Sequence, residues 1–140
     1  MKKYINLAFI YAIAALCSGV FYREFTKFQG FEGKTTLAVT HTHFFVLGTI
    51  MFLLIGIFSC ITNLKEQKQF KNFMLLYNIG LPFMVVMFFV RGIVQVLGVE
   101  LSKGATAAIS GIAGISHIMI GVSIVMLFIA LRNSKGSVVK

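Results

Sequence analysis

Four long apolar runs, separated by short polar segments, make up most of the chain. They cover approximately residues 4–22, 37–62, 73–99 and 105–131. A transmembrane helix needs roughly 20 predominantly apolar residues, so each run is long enough to cross a bilayer once. The pattern predicts an all-α fold: an integral membrane four-helix bundle that forms a single transmembrane domain over residues 1–140.

The composition favours the same class of protein. The chain is 58% hydrophobic and 12% charged, whereas soluble domains average about 25% charged residues. A formal net charge of +9 would suggest nucleic-acid binding in a soluble protein. Here the basic residues lie beside the apolar runs, so we expect them to set the topology and to contact anionic lipid. No nucleic-acid partner is expected.

The distribution of Lys and Arg predicts the orientation. These residues are more frequent in the N-terminus, the second polar segment and the tail than in the first and third segments. The cations of the tail are Arg132, Lys135 and Lys140. Positive-inside bias therefore predicts a multi-pass plasma-membrane protein with both termini in the cytoplasm (N-in/C-in). The first run resembles a signal peptide, but it continues past Cys17, so we expect an uncleaved helix.

Four ionisable side chains lie within the apolar runs. His41 and His43 belong to the second run, Arg91 to the third and His117 to the fourth. In the N-in/C-in topology all four fall in the outer half of the membrane. Such residues are costly in hydrocarbon and are functional suspects by default. Residues two apart on a helix point about 200° apart, so His41 and His43 should face different neighbours.

The type of these residues indicates a cofactor. Zinc needs three or four converging ligands, and the outer half of the predicted bundle offers no carboxylate within the membrane. Haem needs one or two axial histidines, small residues beside its plane and an Arg near its propionates. We predict haem b, with His43 and His41 as the leading iron ligands, His117 as the next, and Arg91 as the propionate partner. The alternative anion for Arg91 is a lipid phosphate of the outer leaflet. The small residues on the His117 face that would lie beside haem are Gly114 and Gly121.

Residues 41–48 (His-Thr-His-Phe-Phe-Val-Leu-Gly) resemble the histidine helix of the catalytic subunit of haem–copper oxidases. The resemblance implies that His41 is the ligand of a reactive haem and His43 the ligand of an electron-transferring haem. That subunit has three arcs of four helices, so this chain would imitate one arc and a homotrimer the whole. The oxidase copper site uses three further histidines, whereas only His117 remains here, so enzyme (oxidoreductase) activity stays open.

The whole chain, with two segments in particular, also resembles a family of small four-helix bacterial membrane proteins of unknown function. The two segments are residues 21–25 (Phe-Tyr-Arg-Glu-Phe) and 33–36 (Gly-Lys-Thr-Thr).

The sequence leaves three functions open. The first is a b-type haem protein that transfers electrons or binds a small gas such as O2 or NO, with an unknown redox partner. The second is a non-haem transport or channel subunit whose polar path is formed by Arg91, Gln95, His117 and Asn78. The third is a structural membrane protein without a ligand.

Overall fold

The computed structural model describes residues 1–136, so Lys140 lies outside the described residues. Four helices follow one another: α1 (Lys2–Phe28), α2 (Leu37–Ile61), α3 (Lys68–Val96) and α4 (Lys103–Asn133). All four are long and apolar enough to cross a membrane. Residues 1–136 contain no β-strand, only an isolated bridge between Thr62 and Gly136. The predicted all-α fold with four membrane-like helices is confirmed.

The helices do not end where the apolar runs end. α1 continues through Arg23–Phe28, which the sequence pattern assigned to a loop. Apolar content marks the part of a helix that suits lipid, whereas the helix itself continues until a residue stops it. Gly30, at φ 59°, follows α1, and Gly98, at φ 61°, follows α3. Glycine adopts this left-handed conformation without steric cost.

α3 occupies the centre of the bundle. α3 has its own largest interface with α4 and also contacts α2, whereas α1 packs mainly on α2. Aromatic rings fill the space between the helices. Tyr11 stacks on Phe52 at a centroid distance of 5.5 Å, and Phe52 meets Tyr77 edge-on at 5.9 Å. These contacts join α1, α2 and α3 in one core.

The bundle has two ends, which we name for what lies there. The tail end holds the N-terminus, residues 62–67 and the tail. Here the Asn63 backbone N–H donates to the Lys135 carbonyl (3.1 Å), and the Lys135 N–H donates to Asn63 Oδ1 (2.8 Å). The loop end holds residues 29–36 and 97–102. His41, His43 and Arg91 lie near the loop end, and His117 lies near the middle of α4.

Candidate functional site

A widened turn interrupts α2 directly after His43. Residues Phe44–Ile50 form a π-helix, in which hydrogen bonds skip one residue more than in an α-helix. Such segments are rare and occur frequently at functional sites. The Tyr77 hydroxyl donates to the Leu47 carbonyl within this turn at 2.7 Å. The pattern of apolar residues does not predict the π turn.

His43 is held with one ring nitrogen bonded and the other free. Its Nδ1 lies 2.8 Å from the Val39 carbonyl oxygen, one turn earlier in α2. Because a carbonyl oxygen only accepts, Nδ1 must carry the proton, and a neutral ring then has its lone pair on Nε2. The ring is half-buried and meets Phe88 of α3 edge-on at a centroid distance of 4.7 Å.

His117 of α4 has the same arrangement. Its Nδ1 lies 2.8 Å from the Ala113 carbonyl oxygen, so Nε2 again carries the lone pair. Its ring meets Phe88 at a centroid distance of 5.6 Å. One phenyl ring of α3 therefore touches imidazoles from α2 and α4. We call His43 and His117 the histidine pair. Within residues 1–136, neither Nε2 has a hydrogen-bond partner.

His41 lies on the opposite side of α2 from the histidine pair. It packs against α1, where a Cβ added to Gly19 would stand 3.6 Å from His41 Cβ. Its Nδ1 is buried and finds no hydrogen-bond partner in the described part of the chain. The two rings of the His-x-His segment thus face different helices, as their spacing requires. The structure brings His43 together with His117 and leaves His41 apart.

Hydrogen bonds at the loop end hold α2 against α3, close to the histidine pair. Thr35 Oγ1 donates to the Gly92 carbonyl (3.0 Å), and Thr36 Oγ1 donates to the Phe88 carbonyl (2.9 Å). The Thr36 backbone N–H donates to Gln95 Oε1 (2.8 Å). We call these bonds the loop-end clamp. The sequence did not predict this clamp. The one indication was the presence of two polar residues, Thr35 and Thr36, at the start of an apolar run.

Arg91 does not join the histidine pair. Its side chain is exposed and lines a surface cavity of about 330 Å³ between the end of α3 and the start of α4. The one ion pair among the described residues joins Arg23 to Glu24 at 3.7 Å. Arg91 therefore has no acidic partner in this part of the chain.

The small residues of α4 beside His117 face outward. Gly114 and Gly121 are exposed, and a Cβ added at either would meet no described atom within 4 Å. His117 itself is exposed. The face that the sequence assigned to a flat ligand is therefore open on the single chain. Across residues 1–136, no three His, Cys, Asp or Glu side chains come together to hold a metal ion.

The fold and these positions define a class: an all-helical protein with four spans of membrane-compatible length and apolar composition. The chain belongs to the family described as "protein of unknown function (DUF2871)", whose model matches residues 1–134. Searches of curated proteins and of solved structures found no match. The resemblance to haem–copper oxidases therefore stays a prediction.

Proposed function

We propose that the protein binds b-type haem in the membrane and that the histidine pair supplies the iron ligands. The observation that carries the proposal is that both imidazole rings make the same hydrogen bond. Nδ1 of His43 and of His117 each bonds a carbonyl of its own helix at 2.8 Å. Haem- and metal-ligating histidines typically hold one ring nitrogen in such a bond, which fixes the orientation of the other for the metal.

The surroundings of the pair also suit haem. Gly114 and Gly121 leave the α4 face free of side chains next to His117, and Phe88 provides an apolar aromatic wall. With both rings as iron ligands, haem b would supply a one-electron iron centre. The protein's own contribution is to orient both Nε2 atoms and to limit the access of water. His41 is not part of this proposed pair, because it packs against α1.

The proposal includes a homo-oligomer, with a trimer as the expected number, in the plasma membrane and with both termini in the cytoplasm. The start of α4 carries further exposed small residues, among them Ala107, Ala108 and Gly111. They support self-association, because small residues allow close helix contacts in lipid. The cations near the tail end support the orientation, because positively charged segments favour the cytoplasmic side. A reaction catalysed by the haem is not part of the proposal.

We do not propose a polar transport path, because two of its four residues have other partners. Asn78 Nδ2 donates to the Met74 carbonyl within α3 at 2.6 Å. Gln95 Oε1 accepts the Thr36 N–H in the loop-end clamp.

The test is the visible spectrum of the protein purified in detergent after expression with ample haem supply. Oxidised and dithionite-reduced spectra and a pyridine extract give the type of haem and the amount per chain. We expect a Soret band and a sharp reduced α-band. His43→Ala and His117→Ala should each lower the haem content or shift the bands, because each removes an axial ligand.

His41→Ala is the matched control, since it removes an imidazole from the same helix but from the opposite face. It should leave the spectrum unchanged. A colourless wild-type protein would refute the proposal. A spectrum lost in His41→Ala but retained in both other variants would show that the histidine pair is the wrong site.

A further inference from the structure

Beyond haem binding, we propose that the cavity beside Arg91 is a binding site for the headgroup phosphate of an anionic phospholipid. This replaces the propionate role that the sequence predicted for Arg91. The proposal rests on the loop end of the bundle and not on the histidine pair, so it can be tested without haem.

The cavity has hydrogen-bond donors but no negative charge to meet them. Arg91 carries five N–H donors and has no carboxylate partner among the described residues. Gln95 also lines the cavity. Its Oε1 is fixed by the Thr36 backbone N–H at 2.8 Å. Because that N–H needs an acceptor, the amide oxygen must lie there, and the Gln95 NH2 group remains with two donors free of any partner within residues 1–136.

Phosphate is the ligand that fits these donors. It offers several acceptor oxygens and a negative charge, and arginine binds such oxygens in a paired, charge-assisted geometry. Thr106 Oγ1, also on the wall, already donates to the Ser102 carbonyl at 3.2 Å. The Thr106 hydroxyl proton is therefore already used, and the donors for a phosphate come from Arg91 and Gln95. Glu100 lies in the loop nearby but forms no ion pair with Arg91.

The rest of the cavity and its place in the fold favour a lipid over a soluble anion. Its other walls are mostly apolar: Val94, Val99, Leu101 and Ile109. The cavity spans the end of α3 and the start of α4, two helices with the length and composition of membrane spans. The ends of such helices lie at the level of the phospholipid headgroups. An apolar wall there suits the glycerol and upper acyl chains, while Arg91 meets the phosphate.

The experiment measures lipid binding to haem-free protein in detergent by native mass spectrometry. The probes are phosphatidylglycerol and phosphatidylcholine with identical acyl chains. We expect the wild type to retain phosphatidylglycerol preferentially. Arg91→Gln keeps an amide donor but removes the charge, and it should bind phosphatidylglycerol about tenfold more weakly. Arg91→Lys should lie between the two, because it keeps the charge without the paired donors.

Lys103→Gln is the matched control, because it removes one positive charge at the same end of the bundle from a residue outside the cavity. It should bind phosphatidylglycerol as the wild type does. Equal losses in Arg91→Gln and Lys103→Gln would overturn the site in favour of general surface charge. Wild-type binding in Arg91→Gln would overturn it directly.

Two further arms separate the sources of the anion. Glycerol phosphate and inorganic phosphate should fail to displace the lipid at equal concentration, and displacement by either would overturn the lipid assignment. Adding haem should leave bound phosphatidylglycerol in place. Displacement by haem would overturn the proposal and restore the propionate role of Arg91. Failure of the haem proposal alone would leave the lipid result unchanged.

Discussion

Two of the helix surfaces that carry glycines in this protein have opposite environments. At the α1–α2 interface, added Cβ atoms would meet α1 or α2 side chains at Gly19, Gly48 and Gly56. On the outer face of α4, a Cβ at Gly111, Gly114 or Gly121 would meet no described atom within 4 Å. In lipid, small residues let helices approach closely. The α1–α2 surface therefore packs one helix of the chain against another, whereas the α4 surface is open to lipid, a ligand or a second copy of the chain.

The comparison is tested most strongly at Gly48. A Cβ there would stand 2.5 Å from both Cβ and Cγ of Tyr11, which is itself stacked on Phe52. We expect Gly48→Ala to lower the free energy of unfolding by about 3 kcal/mol, at the upper end of overpacking effects. Denaturation of the purified protein in mixed micelles measures this. Gly121→Ala, the control, should be neutral, and equal effects of the two variants would contradict the comparison.

Tyr77→Phe should lower the free energy of unfolding by less than Gly48→Ala does. It tests the π turn, Phe44–Ile50, which contains Gly48. The Tyr77 side chain is 0% exposed, and its hydroxyl donates to the Leu47 carbonyl. Removing it leaves a carbonyl of the widened turn without this donor, which costs about 1–3 kcal/mol.

The same denaturation experiment measures the Tyr77→Phe variant. Tyr22→Phe serves as its control, since Tyr22 lies in α1 and has no hydroxyl bond within residues 1–136. If Tyr77→Phe is as stable as the wild type, the hydrogen bond does not support the π turn.

The smallest effect on the single chain is expected at the open face of α4. Gly114→Leu adds a bulky side chain where the chain itself has space, so the free energy of unfolding of the protomer should change by less than about 1 kcal/mol. The oligomer should nevertheless dissociate, because the added bulk blocks close contact between α4 helices. Light scattering in detergent measures the mass of the complex.

Leu75→Phe is the matched control for bulk, because Leu75 is a 68% exposed residue of α3. It should leave the mass unchanged. A Gly114→Leu protein with the wild-type mass would show that the α4 face is not the contact between copies. The proposed trimer would then need another surface.

The histidines show how far sequence reasoning reached. Their positions in apolar runs marked them as candidates, and the spacing of His41 and His43 required opposite faces. The spacing could not reveal that His43 meets Phe88 while His41 meets Gly19. The sequence placed His117 after His41 as a candidate ligand, and that ranking stays a prediction. Only the structure shows that His117 lies beside Phe88, whereas His41 lies beside Gly19. Which helix stands beside a given face depends on contacts between residues far apart in the chain.

Arg91 shows a second limit of prediction from the sequence. Its place in an apolar run predicted an anionic partner. Within residues 1–136 no carboxylate forms an ion pair with Arg91, so the prediction of an anion from outside the chain stays a prediction. The identity of the cavity walls could not be predicted, because they come from the ends of two helices and the turn between them. The loop-end clamp was missed for the same reason. Thr36 and Gln95 are separated by most of α2 and α3, and only the fold brings them to 2.8 Å.

Four properties could be predicted from the sequence: the number of helices, the all-α class, the membrane-like composition and the opposite directions of His41 and His43. These properties follow from local periodicity and from the apolar content of each run. The tertiary structure alone decided which glycines are packed, where α2 widens and which histidine stands beside which helix. In a membrane protein both the packed and the lipid-facing sides of a helix are apolar, so hydrophobic periodicity does not identify the buried face.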